Sequence, residues 1–167
     1  WNNKFQAVGN GGWAGVISYS AMAEAVRAGY ASASTDTGHE GGRGTFALDH
    51  PEKLIDFAWR SEHEMTVKAK AITEAYYSKA PARAYWNGCS SGGKQGLKEA
   101  QKFPTDYDGI IAGAPANYWT HLMAGDLWPA VVTHKAGAAL PPAKLEILHK
   151  TSLAACPRLD SIEEGLV

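Results

Sequence analysis

Short apolar runs alternate with helical stripes along the first 115 residues. Phe5 to Val8 is a brief apolar strand that runs into Gly9-Asn10-Gly11-Gly12, where glycines permit φ > 0 and close backbone approach. Met22, Ala25 and Val26 fall at helical spacing in a helix predicted from about Tyr19 to Arg27, with Gly29 placed to end it. Tyr30 to Thr35 reads as a second strand, closed by Asp36-Thr37-Gly38-His39, and the Gly-rich stretch His39 to Thr45 as loop. The longest pattern runs from about Asp49 or Pro51 to Ser78. Leu54, Ile55, Ala58, Met65, Ala69, Ile72 and Tyr76 trace an apolar stripe there, and Pro51 suits a first helical turn. Ala82 to Asn87 is a third strand, Ser91 to Phe103 a third helix and Asp108 to Ala114 a fourth strand. This alternation predicts βαβ units and a mainly parallel sheet flanked by helices, the α/β class. After Pro115 the chain turns Trp- and Pro-rich, with helical segments near Asn117 to Lys135 and Pro142 to Ala155 and no further strand. That predicts the start of a covering or inserted segment over residues 116–167, beside a sheet domain over residues 1–115.

Composition narrows the function classes. The 167 residues suffice for one domain with a real core, and 45% hydrophobic with 20% charged residues is ordinary for a globular protein. Sixteen basic against seventeen acidic residues give a net charge of −1, so no electrostatic case exists for nucleic acid or an anionic membrane as partner. No apolar run approaches the roughly 20 residues of a membrane span, and the first residues do not show the basic-then-apolar pattern expected of a signal peptide. A start at Trp1 leads us to expect an N-terminus that is processed, trimmed or incomplete. The two cysteines, Cys89 and Cys156, allow one disulfide or two free thiols and do not decide the compartment.

The chemistry concentrates at Gly88-Cys89-Ser90-Ser91-Gly92. Gly-x-Ser-x-Gly after a strand and before a helix is a strained turn that holds the serine oxygen clear of the sheet, which makes Ser90 the candidate nucleophile. Small flanking residues are needed because the turn brings neighbouring backbones together. The helix start also points free amides and a positive dipole end at charge forming beside Ser90. An oxyanion hole in such a site uses the N–H after the nucleophile, here Ser91, and one from a loop after an earlier strand. Gly11 or Gly12 is the candidate in that loop, against the plainer reading of a tight turn.

A serine nucleophile needs a histidine base and an orienting carboxylate, in the chain order Ser, Asp or Glu, His for this arrangement. His121, His134 and His149 follow Ser90, but all lie in the covering helices and read as surface or packing residues. His39, His50 and His63 precede the serine, and Asp106 and Asp108 read as capping or solvating a turn.

The string Tyr85-Trp86-Asn87-Gly88-Cys89-Ser90-Ser91-Gly92-Gly93-Lys94-Gln95-Gly96-Leu97 resembles the tannase/feruloyl esterase family. That family also contains the enzyme hydrolysing mono(hydroxyethyl) terephthalate. The resemblance runs nearly end to end, through Val8 to Gly12, Ser34 to His39, His50 to Phe57, Met65 to Lys70 and Phe103 to Pro115. It implies an α/β-hydrolase with a large lid inserted after the strand ending near Pro115, secreted or periplasmic, cleaving small-molecule esters of aromatic or phenolic acids. The chemistry needs no cofactor.

The resemblance also implies that Cys89 is bridged to a cysteine beside the catalytic histidine, tying base to nucleophile. By the same comparison the catalytic Asp and His lie beyond Val167, in the remainder of the hydrolase, and the partners of Cys89 and Cys156 fall there too; a Cys89–Cys156 bridge is therefore rejected. The tail from Asp160 to Val167 resembles the family's lid calcium loop, which implies a structural calcium held by Asp160, the Ile162 carbonyl, Glu164 and the Leu166 carbonyl. Pro157 stands where the family has the first Asp, and Glu164 where it has another. Aromatics early in the lid segment, Tyr118, Trp119 and Trp128, are candidates for an acid pocket, against the plainer reading of lid packing. The expected function is serine ester hydrolysis of aromatic esters. The alternative from a different class is an inactive fragment serving as a structural or binding module.

Overall fold

The structure, a computed structural model, describes residues 1–135 and 137–156. They divide into two compact units, the first ending at Asn117 and the second beginning at Tyr118.

The first unit opens with β1 (Lys4–Val8), α1 (Tyr19–Arg27) and β2 (Ala31–Ala33). A 3-10 turn at Gly44–Ala47 follows, then α2 (Pro51–Ile55), a π-turn (Asp56–Arg60) and α3 (Ser61–Tyr77). It closes with β3 (Arg83–Cys89), α4 (Ser91–Lys102) and β4 (Gly109–Gly113). All pairings are parallel, in the order β2-β1-β3-β4, with Phe5 beside Ala31 and Ala84, and Trp86 beside Ile110. This is the α/β arrangement that the alternating pattern predicts.

Period-2 alternation decides the faces. Phe5, Ala7, Ala84 and Trp86 are buried on one face, with Met65 and Ala69 of α3, Ile110 of β4 and Tyr107 packed against them. The Trp86 indole is 1% exposed and donates to the Gly92 carbonyl at 2.9 Å, so the largest core residue also anchors the start of α4. Asp108 accepts the Ala84 N–H at 2.7 Å and pairs with Arg83 at 2.9 Å, capping the start of β3 as a turn residue should.

Three predicted boundaries shift. β2 stops at Ala33, and beyond it side chains replace strand pairing: the Thr35 carbonyl accepts from Asn10 Nδ2, Ser34 Oγ accepts the Ser18 N–H, and Thr35 Oγ1 accepts the Thr37 N–H. The loop predicted over His39 to Thr45 contains the start of the 3-10 turn. The single long helix from about residue 50 to 78 is interrupted by the π-turn. Ser61 Oγ donates to the Asp56 carbonyl at 2.8 Å, and Arg60 bridges Asp56 and Glu52, both at 2.6 Å, across the widened turn. Ser78, in the left-handed region at φ 53°, ends α3.

The second unit contains α5 (Trp119–Thr133) and α6 (Pro142–Ala155), close to the predicted helical segments. Pro129 lies inside α5, and the His134 imidazole engages the Ala130 carbonyl at 2.7 Å. Among the described residues, no helix is long and apolar enough to cross a membrane.

Candidate active site

β3 ends at Cys89 and α4 begins at Ser91, so the reversal is made at Ser90. Its backbone sits at φ 59° and ψ −119°, a conformation L residues rarely adopt, at a cost on the order of 1–3 kcal/mol. Packing enforces it. The Ser90 N–H donates to the Gly113 carbonyl at 3.0 Å, and the Ser90 carbonyl accepts from Lys94 N–H at 3.0 Å and Ala116 N–H at 3.1 Å. The turn fits only because its neighbours lack side chains. A Cβ on Gly9 would lie 2.6 Å from Gly92 Cα, one on Gly88 would lie 2.8 Å from the same atom, and one on Gly93 2.9 Å from Pro115 Cα. Ser90 itself is exposed.

The glycine loop after β1 is fastened to α4. Buried Ser91 donates its hydroxyl to the Gly12 carbonyl at 2.7 Å. Buried Asn10 accepts from Gln95 Nε2 at 2.8 Å, and its N–H reaches Gln95 Oε1 at 3.3 Å. Asn10 Nδ2 donates to the carbonyls of Ala14 (3.0 Å) and Thr35 (3.2 Å), closing the loop on itself and on the end of β2. Ser90, Ser91 and the Gly11–Gly12 loop are thus gathered at the carboxyl ends of the two central strands, β3 and β1. The Ser91 amide opens α4, among the N–H groups with no intrahelical acceptor, at the helix's positive end.

An aromatic cluster backs this loop. Trp13 stacks on Phe57 with centroids 5.1 Å apart, and His39 stacks on Phe46 at 3.6 Å. The Lys94 ammonium lies 4.3 Å from the centre of the Phe57 ring and donates to the Phe57 carbonyl at 3.3 Å. Burial pulls Lys94 below its ordinary range and pushes Glu62 up to about 7, with the Lys94 charge partly opposing that rise.

Further along α4, Glu99 is 1% exposed and neither carboxylate oxygen has a hydrogen-bond partner. Burial, then the charges of Asp106 and Glu62, push it up to about 8. His63, Glu99 and Asp106 offer ligand atoms within 4.8 Å of one another. However, His63 Nδ1 and Asp106 Oδ2 are 2.6 Å apart, a hydrogen bond. Two ligands held at ~2.1 Å around one tetrahedral ion stand roughly 3.4 Å apart. The His63–Asp106 hydrogen bond braces α3 against the turn before β4, with Glu99 of α4 buried beside it, and is reinforced by Lys70 on the Asp106 carbonyl and by His63 stacked on Phe103. Asp106 therefore does more than solvate a turn.

Cys89, beside the candidate nucleophile, is exposed, and both Cys89 and Cys156 are free thiols. Tyr118, Trp119 and Trp128 belong to the second unit, where Tyr118 and Trp128 are exposed. The predicted calcium ligands Asp160, Ile162, Glu164 and Leu166 lie outside the described residues. Sequence reasoning missed the roles of His39, the Ser91 hydroxyl, Asn10 and Gln95. The only signal for His39 was its place in the Ser34-to-His39 string, and chain order set it aside as a base.

The whole chain, residues 1–167, matches the family described as tannase and feruloyl esterase. A probable feruloyl esterase from Arthroderma benhamiae is 42% identical over 175 residues, covering 100% of this chain and 33% of the relative. The crystal structure of feruloyl esterase B from Aspergillus oryzae superposes with a TM-score of 0.89 at 33% identity, covering 99% of this chain and 33% of that one. Tannin acyl hydrolase from Aspergillus niger superposes with a TM-score of 0.80 at 29% identity, covering 100% of this chain and 32% of that one. The chain therefore spans about a third of the length of the curated relatives it matches. A strained serine turn between parallel strand and helix, fastened to a glycine loop, stands in a chain that belongs to the tannase and feruloyl esterase family.

Proposed function

We propose that this chain carries the nucleophile of a serine carboxylic ester hydrolase acting on small esters of aromatic or phenolic acids. The observation that carries the proposal is the backbone of Ser90, φ 59° and ψ −119° between β3 and α4. A turn that costs this much persists only where its surroundings enforce it, and such strain concentrates at functional sites. The names of the matched relatives, feruloyl esterases and a tannin acyl hydrolase, support the substrate class.

In this reading Ser90 Oγ attacks the ester carbonyl carbon while its proton passes to a histidine. The carbonyl oxygen becomes an anion held by the N–H groups of Ser91 and of Gly11 or Gly12. Collapse of the tetrahedral adduct breaks the ester C–O bond, and the departing alkoxide takes the proton from the imidazolium. Water then attacks the acyl-enzyme, releasing the aromatic acid and restoring Ser90. The base and its carboxylate come from sequence outside these 167 residues. His39 and His63 are engaged elsewhere, by the Trp13 carbonyl and by Asp106. Residues 1–115 form the start of the catalytic domain and residues 116–167 begin an inserted lid, a reading favoured by the division after Asn117. Cys89 bridges to the region of the histidine, the tail from residue 160 holds a structural calcium, and the enzyme works outside the cytoplasm.

The test is Ser90→Ala in the full-length hydrolase, assayed on methyl ferulate and methyl gallate. We expect kcat to fall by about 10⁴-fold or more with folding intact. Retention of a tenth of the hydrolysis would overturn the nucleophile assignment and leave the chain a non-catalytic structural or binding module.

A further inference from the structure

We propose that His39 is a positioning residue that sets the oxyanion loop by clamping the Trp13 carbonyl. This inference rests on the hydrolase reading above. The loop over residues 9–16 turns three successive carbonyls inward, and each has its own donor. The Gly11 carbonyl accepts the Ala14 N–H at 3.0 Å, the Gly12 carbonyl accepts the Ser91 hydroxyl at 2.7 Å, and the Trp13 carbonyl meets His39 Nε2 at 2.8 Å. In a trans peptide the N–H points opposite the C=O. Pinning the Gly11 carbonyl inward therefore turns the Gly12 N–H away from the turn, as a donor to an external anion requires.

Of the three clamps, one is internal to the loop and one comes from the nucleophile's own turn. His39 comes from the segment following β2, to which Asn10 Nδ2 and the Gly15 N–H also tie the loop at the Thr35 and Gly41 carbonyls. A carbonyl can only accept, so the imidazole must carry its proton on Nε2. That nitrogen is then committed to Trp13 and is not free to act as a general base. Nδ1 lies 3.3 Å from Thr37 Oγ1 and 3.4 Å from the Thr37 carbonyl. The ring is 6% exposed and stacked on Phe46, so it has little room to rotate. Gly15 lies directly against the His39 backbone, where a Cβ would collide with the His39 carbonyl, and its N–H donates to the Gly41 carbonyl at 2.7 Å. The loop and the His39 segment thus meet at both ends of a short span. Preorganised donors of this kind are worth most when they need not reorient as charge develops.

Two substitutions separate the hydrogen bond from the packing. His39→Phe keeps an aromatic ring against Phe46 but removes the donor, whereas His39→Gln restores an N–H at about the reach of Nε2. In the full-length hydrolase we expect His39→Phe to lower kcat on methyl ferulate by 10- to 100-fold, with KM changed less than threefold. We expect His39→Gln to recover to within about fivefold of wild type. Hydrogen exchange by mass spectrometry, which needs no activity, should show faster exchange of the peptide spanning Gly11 to Ala14 in His39→Phe and not in His39→Gln. Wild-type kcat in His39→Phe, equal losses in both variants, or unchanged exchange in His39→Phe would overturn the positioning role. The hydrolase reading fails separately, through activity retained by Ser90→Ala.

Discussion

Glu99 offers the sharpest quantitative prediction, because it is an acid buried with no partner for its charge. Neither oxygen accepts a hydrogen bond, and the Asp106 and Glu62 carboxylates lie close enough to oppose its ionisation. A protonated Glu99 can instead donate to Asp106, so the proton supplies the interaction that the geometry otherwise lacks. The folded chain holds this proton until about pH 8, against an ordinary value of 4.5. At ~1.4 kcal/mol per pH unit, that difference corresponds to a penalty on the order of 5 kcal/mol for ionised Glu99 in the fold. The sign follows from proton binding. Between pH 4.5 and about 8 the native state binds more protons than the unfolded chain, so this contribution makes stability fall as pH rises, and it levels off above 8. Glu99→Gln retains a donor and cannot ionise. Urea unfolding followed by far-UV circular dichroism should place the variant within about 1 kcal/mol of wild type at pH 5. By pH 9 the variant should be the more stable protein by several kcal/mol, up to the order of 5. A stability difference that stays constant from pH 5 to 9 would refute the raised pKa. A variant less stable than wild type at pH 9 would mean that the carboxylate is favourably paired in the fold.

Two further predictions concern the turn and the sheet. Gly88→Ala drives a methyl group into the Gly92 backbone, whereas Gly11→Ala meets nothing within 4 Å. The first should cost about 3 kcal/mol or more in thermal unfolding and the second under about 1 kcal/mol, so equal effects would contradict the packing described for the elbow. Asp108, held below its ordinary range chiefly by the Ala84 N–H and also by Arg83, contributes stability that is present above about pH 4 and is lost as pH falls through its lowered value. Asp108→Asn should therefore show a shallower loss of stability as pH falls below about 4, read by the same denaturation assay.

Much of the fold was legible because periodicity reports exposure, and exposure follows from an element's place in a layer. The run at Phe5 to Val8 does so, with Phe5 and Ala7 fully buried. The stripe from Leu54 to Tyr76 does so only in part: Met65 and Ala69 pack on the core, but Leu54, Ile72 and Tyr76 are exposed while Glu62, Thr66 and Thr73 are buried. Gly-x-Ser-x-Gly was legible because the elbow's strain demands small residues at fixed offsets, and Gly88 and Gly92 do abut. What was not legible is set by contacts between distant positions. Ser91 meets Gly12 from 79 residues away, and Gln95 meets Asn10 from 85. Glu62 and Glu99 occupy polar positions of helices, yet both are buried, since hydrophobic patterning carries no information about which polar side chain will face a partner element. His39 was set aside because chain order tests only whether a histidine can be the base, not whether it can hold a carbonyl.

The π-turn at Asp56–Arg60 divides one helical segment into two rotational phases. An α-helix advances about 100° per residue, so the extra residue in a π-turn resets which face points inward. Phe57 sits within that turn, packed with Trp13 and beneath Lys94, while Glu62 and Thr66 are buried along the helix that follows. Such a turn makes this stretch sensitive to length as well as to residue identity. Removing one residue here would restore an unbroken α-helix and swing everything before it by roughly a quarter turn relative to everything after. Ordinary surface helices absorb substitutions and end-trimming; in this one, a single codon deletion would uncouple the aromatic support of the glycine loop from the helix that packs on the sheet.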